Sequence, residues 1–312
     1  MVTGRAELIE DAGAAASESE FFRSPEFLRA EGTTHSLRIG TEDGAMTAPL
    51  IVRTIDRGDR IDAISPYGYP GFKLDGDAGR PLLPAGIDFS ETGLVTAFMR
   101  HSLGGQIPLA GATARNLCLI SDPEQPRKSR MSDRQQIRRN LKRGYVVDFV
   151  PGPGSSPEDR AGFHRAYTET MTRTDAAERY LFDEQYFDQI LASEKTWLAL
   201  ARDAEGVIGA ASIAADSDGL MHYYLSGTAD SNLRDSPMKN VIETMIEFAA
   251  EMNLPLNLGG GITPDDPLEE FKRGFANREE QWFTSELVCD AEAYEELSPA
   301  EPVEGFFPAY RA

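Results

Sequence analysis

Cysteine is nearly absent: Cys118 and Cys289 are the only two in 312 residues. Each sits inside an apolar run, which reads as a small core residue rather than half of a disulfide, and a reducing compartment such as the cytoplasm fits. Histidine is almost as scarce. His35, His101, His164 and His222 are scattered without the close spacings of metal ligands, so a zinc site is excluded for want of ligands, and none of the four stands out as a general base. No run approaches about 18 consecutive apolar residues, and the stretch Met1 to Glu20 is acidic and rich in Ala and Ser rather than basic then apolar; the expectation is neither a membrane span nor a signal peptide. Positive charge is the remaining shortage. Lys and Arg total 31 against 51 Asp and Glu, a formal net charge of −20, so the surface as a whole repels polyanions and anionic membranes. Any contact with nucleic acid has to be local. A dinucleotide fold is disfavoured too, because the glycine run Leu258-Gly-Gly-Gly-Ile-Thr263 lacks the Gly-x-Gly-x-x-Gly spacing followed by a helix.

What is present is enough apolar sequence, 41% of the chain, to bury a real core. The Pro/Gly/Ser cluster Val150 to Pro157 predicts a loop between two halves, residues 1–150 and 151–312. In the first half a helix is expected from Glu20 to Ala30, with strands at Ala48 to Ile55, Gly93 to Arg100 and Asn116 to Ile120. The second half is clearer. A strand at Tyr145 to Val150 leads to a helix capped by Ser156 with Pro157 in its first position, and a second helix follows near Asp183 to Glu194. Strand-like runs at Thr196 to Arg202, Val207 to Ala215 and Leu220 to Ser226 are separated by the turn sequences Asp203-Ala-Glu-Gly206 and Asp216-Ser-Asp-Gly219, which predicts an antiparallel meander. Ser236-Pro237 opens a helix whose Met238, Val241, Ile242, Met245, Phe248, Ala249 and Met252 form one apolar stripe. A short strand, Pro255 to Leu258, runs into Gly259-Gly-Gly261, where bare backbone allows close approach. Asp266 caps a short helix ending at Gly274, and Trp282 to Cys289 returns as a strand.

This order, β-α-α-β-β-β-α-β-α-β, resembles the GNAT acetyltransferase fold, and several strings are similar to its Fem-like branch. They are Asp62-Ala-Ile-Ser-Pro-Tyr67-Gly-Tyr69-Pro-Gly71, Ala97-Phe-Met-Arg100, Ser132-Asp-Arg134-Gln-Gln-Ile-Arg138-Arg139-Asn-Leu-Lys142-Arg143-Gly144, Tyr167-Thr-Glu-Thr-Met171-Thr-Arg173, Leu258-Gly-Gly-Gly261 and Phe271-Lys272-Arg-Gly274-Phe275. The resemblance implies an α/β (α+β) chain of two GNAT-like domains in tandem, each a mixed, mostly antiparallel sheet flanked by helices, with a degenerate first domain (1–150) and an acyltransferase second domain (151–312). It implies transfer of an aminoacyl group from aminoacyl-tRNA to an amine, forming an amide.

The resemblance also places Lys272 near the donor carbonyl, where it would stabilise the oxyanion of the tetrahedral intermediate; the alternative is a surface lysine favoured by a helix C-terminus. Tyr224 is a candidate relay or anchor, set against plain core packing, and strand alternation would put it on one face with His222 and Ser226, opposite Tyr223 and Leu225. Tyr67, Tyr69 and Arg100 are candidates to line an acceptor pocket between the halves, with Arg173 reaching a phosphate or carboxylate. Phe271 and Phe275 flank Lys272 as substrate-side candidates, although core packing is their simpler role.

GNAT enzymes hold the coenzyme A diphosphate on a glycine-rich loop at a helix N-terminus. Here that loop reads Arg234-Asp-Ser-Pro237-Met-Lys239, where Pro237 offers no N–H and Lys239 replaces a glycine. An acyl-CoA donor therefore becomes the alternative, and no bound cofactor is expected. Arg127, Lys128, Arg130, Arg134, Arg138, Arg139, Lys142 and Arg143 face only one acid, Asp133, a local charge of +7 in a chain of −20. Such segregation suits an anion-binding stripe for an RNA end, set against a solvated helix face balancing nearby acids. The acceptor would be an amine of a cell-wall precursor or of a specialised peptide or nucleoside metabolite. The absence of a long heptad helix leaves room for small-molecule biosynthesis. A non-catalytic binding protein that kept the fold is the reading from another class.

Overall fold

The computed structural model describes residues 3–55, 58–76, 80–261, 263, 266–299, 301 and 305–312. It divides the chain into two units: Met1–Glu18, Phe22–Arg115 and Gln281–Ala312 make the first, and Ser19–Phe21 and Asn116–Glu280 the second.

The first unit is built from β1 (Gly4–Ile9), α1 (Pro25–Ala30), β2 (His35–Gly40), β3 (Gly44–Thr54), β4 (Ile61–Ile64), β5 (Lys73–Gly76), β6 (Ile87–Asp88) and β7 (Leu94–Arg100). Its strands run in the order β6-β1-β2-β3-β4-β7, with β5 attached to β3. β1, β2, β3 and β4 pair antiparallel, whereas β6 joins β1 and β7 joins β4 in parallel. Period-two patterning explains β2: Leu37 and Ile39 enter the core with Met46, Leu50, Leu94 and Met99, while Arg38 between them is exposed. The expected helix from Glu20 is shorter. Ser24 accepts from the Phe27 amide at 3.2 Å and Pro25 takes the first position, so α1 begins only there.

The chain enters the second unit along β8 (Thr113–Ser121), then forms α2 (Met131–Lys142), β9 (Val146–Pro151), α3 (Pro157–Arg173), α4 (Glu184–Ile190), β10 (Thr196–Arg202), β11 (Ile208–Ser217), β12 (Leu220–Thr228), α5 (Met238–Glu251), β13 (Leu256–Asn257) and α6 (Pro267–Arg273). The order is β8-β13-β12-β11-β10-β9. β10 to β12 form the expected meander, β9 pairs antiparallel with β10 at its edge, and the Ser156 cap of α3 is a reciprocal capping box with Asp159. α5 makes the crossover between the parallel pair β12 and β13. Its stripe Met238, Val241, Ile242 and Met245 packs on Ala199, Ala201, Ala210 and Ala214. The alternate residues Leu198, Leu200, Ala211 and Ile213 are buried as well, on the opposite face. α3 packs on β11 and β12. Gly227 permits that approach, since a Cβ there would meet the Ala166 carbonyl oxygen at 2.3 Å.

Two boundaries differ from the sequence reading. The Pro/Gly cluster near Val150 to Pro157 is a turn inside the second unit, because β9 before it pairs antiparallel with β10 after it; the divide falls between Arg115 and Asn116, within β8. The last strand, β14 (Arg278–Val288), was expected to close the second half. Its residues Thr284 to Val288 pair instead with β7, and α7 (Ala291–Leu297) packs there too, so the tail returns to the first unit. A strand's composition does not specify its partner, and this one pairs with residues nearly two hundred positions earlier.

Candidate active site

β12 and β13 are paired only at Met221↔Leu256 and His222↔Asn257, after which β13 turns into the glycine run while β12 continues to Thr228. Parallel strands that part at their carboxyl ends leave an open edge of backbone, a position where α/β folds bind ligands. β12 carries a bulge at this place: Ala214 pairs with Tyr223 and Ser212 with Ser226, so two steps along β11 answer three along β12. The expected alternation therefore fails. Ser226 shares a side with Tyr223, to whose hydroxyl it donates at 2.5 Å, and not with Tyr224. Burial pushes the Tyr223 phenol up to about 12. Tyr224 instead meets the Tyr186 hydroxyl at 3.0 Å and lies edge-on to Phe21, with ring centroids 5.5 Å apart.

Lys272 is not a surface lysine. It lies on α6, whose N-cap Asp266 accepts from the Glu269 amide at 2.7 Å, and it is only 8% exposed. Its Nζ donates to the Gly260 carbonyl at 2.7 Å. Desolvation lowers its pKa to about 8, partly opposed by the nearby Cys118, Asp266 and Glu269. Glu269 is itself engaged by Arg273 one helical turn on. Gly259 has φ of 72°, a backbone conformation that favours glycine, and its missing Cβ would lie 3.3 Å from Nζ, close enough to nudge the amine. Phe275 is core, and Phe271 packs against the same core, with ring centroids 5.7 Å apart.

A second set of buried polar groups supports the glycine run. Asn257 Oδ1 accepts from the Gly259 amide at 2.8 Å, its Nδ2 lies 3.0 Å from His222 Nδ1, and His222 Nε2 lies 3.2 Å from the Ser217 carbonyl. A carbonyl only accepts, so the His222 proton sits on Nε2 and Nδ1 accepts from Asn257. Burial lowers the imidazole pKa to about 4, which keeps this tautomer neutral at ordinary pH. Asn257 had not been singled out in the sequence; an asparagine between apolar residues directly before three glycines was the available signal.

At the N-terminus of α5, the loop that ends at Ser236 is tied to α2. Ser236 is left-handed at φ 47°, and the preceding Asp235 is held by α2: its carbonyl accepts from Gln136 at 2.9 Å and from Asn140 at 2.8 Å, and its carboxylate pairs with Arg143. Asn140 also donates to Asn240 at 2.7 Å in a buried amide pair. The basic segment divides accordingly. Arg127 pairs with Glu243 at 2.9 Å, Arg130 with Glu270 at 2.5 Å, and Asp133, the one acid, turns inward to Lys239 at 2.8 Å. Lys128, Arg134, Arg138, Arg139 and Lys142 remain exposed, with no carboxylate partner among the described residues.

The other candidates lie elsewhere. Arg173 is engaged by Asp230 and the Thr228 carbonyl at the end of α3, which occupies the group expected to reach a phosphate. Tyr67, Tyr69 and Arg100 belong to the first unit. The Tyr67 amide donates to Glu31 at 2.8 Å, Tyr69 lies between Phe22 and Trp282, and the Arg100 guanidinium donates to the Ser65 carbonyl at 2.5 Å. The structure thus gathers Lys272, Tyr224, Ser226, Phe271, Phe275 and the basic segment in the second unit, and keeps the tyrosine and Arg100 group in the first.

Residues 127–273 match the acetyltransferase (GNAT) domain family. The chain carries a GNAT acyltransferase domain. That GNAT domain contains the meander, the α5 crossover and Lys272, the parts from which the site was built. Among solved structures, FemX superposes with a TM-score of 0.62 at 11% identity, covering 93% of this chain and 99% of FemX. L-PGS from Bacillus licheniformis gives 0.53 at 14% identity, covering 80% of this chain and 82% of that one. The C-terminal domain of a protein assigned as a lysylphosphatidylglycerol synthetase from Agrobacterium fabrum gives 0.55 at 13%, covering 90% and 92%. These likenesses establish the Fem-like, tandem form of the GNAT fold. Among curated proteins, none matches the sequence. No helix among the described residues is long and apolar enough to cross a membrane.

Proposed function

We propose that the GNAT domain transfers an aminoacyl group from aminoacyl-tRNA to an amino group of a cell-wall precursor or of a specialised peptide or nucleoside metabolite. The observation that supports this reading is the N-terminus of α5, where Asp235 is tied to α2 through Asn140 and where Pro237 and Lys239 stand at positions that a glycine-rich diphosphate loop would need. The outer side of the same α2 presents Arg134, Arg138, Arg139 and Lys142, which suits a tRNA backbone on an otherwise repelling surface. In the reaction, the acceptor amine attacks the ester carbonyl of the donor. The Lys272 ammonium spends one of three donors on Gly260 and keeps two for the developing oxyanion. Collapse of the intermediate forms the amide and expels the ribose hydroxyl, with the amine proton passing to solvent or to a substrate group.

The test is donor binding. Purified protein is titrated with total bacterial tRNA and with acetyl-CoA at low and moderate salt. Salt-sensitive tRNA binding with no coenzyme A signal is expected, and an Arg138→Glu/Arg139→Glu double variant is expected to bind more weakly and to reduce the salt slope by about two. Coenzyme A binding without tRNA binding overturns the proposal.

A further inference from the structure

We infer that Asn257 and His222 are positioning residues that set the direction of the Lys272 amine through the backbone of Gly259 and Gly260. The inference rests on Lys272 being the working group of the proposed transfer, and it concerns how that group is aimed. A lysine has four rotatable side-chain bonds, and burial alone does not orient it. What holds Nζ is one acceptor, the Gly260 carbonyl. That carbonyl belongs to a run of three glycines, the most mobile backbone a chain can have, so something must fix it in turn.

Three groups do so. Asn257 clamps the Gly259 amide from inside the turn at 2.8 Å, the Leu119 amide donates to the Gly259 carbonyl at 3.1 Å, and Asn116 donates to the Gly261 carbonyl at 3.2 Å. The Leu119 bond is backbone to backbone and would form beside any short strand, while the Asn116 side chain reaches only the far end of the glycine run. The Asn257 bond is different, because its geometry depends on His222. Asn257 can turn Oδ1 toward Gly259 only if Nδ2 finds an acceptor on the other side, and His222 Nδ1 is that acceptor because its proton is committed to Ser217. Donor and acceptor directions therefore run consistently from Ser217 through His222 and Asn257 to the Gly259 amide. A buried chain of this kind is costly to leave half made. All of these residues are in the second unit, and His222 and Asn257 are paired across β12 and β13 just before the strands part. The chain thus also fixes where the open edge begins.

The test reads Lys272 directly, without donor or acceptor. Protein labelled at its lysines is followed by NMR as pH is raised, with the Lys272 signal assigned by its loss in Lys272→Met. In the native protein it is expected to titrate near 8, with Cys118 from β8 and Asp266 and Glu269 from the α6 side as the titratable groups facing it. Asn257→Leu and His222→Leu are expected to loosen the turn, admit water to Nζ and move the midpoint upward by at least one pH unit. His222→Gln keeps an acceptor for Asn257 and a donor for Ser217, so it is expected to stay near the native midpoint. If Asn257→Leu does not fold, the His222→Leu and His222→Gln pair carries the test alone. A native midpoint in the folded leucine variants overturns the inference. Because no tRNA is present, failure here is separate from failure of the donor titration.

Discussion

The two units bury charge in opposite ways. In the first, Asp62 on β4 is fully buried and fully paired: Arg53 reaches it at 3.0 Å, Arg311 at 2.5 and 3.0 Å, and the Tyr310 hydroxyl donates at 3.2 Å. In the second, Lys272 is almost as buried, yet its hydrogen bond goes to a neutral carbonyl and its pKa falls to about 8. A buried charge that is saturated with partners fastens an architecture, here the C-terminal segment onto β3 and β4. A buried amine held by one weak acceptor keeps donors in reserve, which is what a site stabilising a transient oxyanion requires. The first unit uses this ion cluster as a rivet, whereas in the second the Lys272 amine is left without a direct carboxylate partner among the described residues.

Three experiments bear on that contrast. The largest effect is expected from Asp62→Ala, which strands Arg53 and Arg311 beside a void and should cost about 3–5 kcal/mol of stability. The chain has two tryptophans, Trp282 in the first unit and Trp197 in the second, so denaturation of a Trp197→Phe background reports the first unit. An unchanged midpoint would show the cluster to be idle. Next, Lys272→Met should lower turnover by about a hundredfold or more, the usual loss for one oxyanion donor, while leaving stability equal or higher because an apolar chain replaces a desolvated amine. Undiminished transfer would remove Lys272 from the site. The smallest effect is in pH dependence. Below its folded pKa of about 8, Lys272 is charged in both states and the full cost of burying it is felt; above its ordinary value of 10.5 it is neutral in both and the cost is gone. Stability should therefore gain up to about 3 kcal/mol from this group between those limits, and the gain should be missing from Lys272→Met.

Much of the second unit was legible residue by residue. Asp203-Ala-Glu-Gly206 and Asp216-Ser-Asp-Gly219 marked the hairpins, Ser156-Pro157 and Asp266-Pro267 marked helix starts, and the apolar stripe of α5 marked its buried face. The first unit was far less so. β4, β5 and β6 have four, four and two residues, too few for a periodic signal, and β1 and β2 carry charged residues between their core positions. In the site, Lys272 came from a local string, and Ser226 was placed on the wrong side of Tyr223 because a bulge leaves no mark in composition.

The sequence by itself determined the local elements, the net acidity with its one basic segment, and the loss of a glycine-rich loop before α5, since caps, turns and charge depend on neighbours a few positions apart. Only the tertiary structure decided that the tail returns to the first unit, that Asp235 is held by α2, and that Lys272 is buried against Gly260 with Asn257 and His222 behind it. Those outcomes join residues up to about two hundred positions apart, and their energies come from desolvation and hydrogen-bond direction, which exist only once the chain has folded around them.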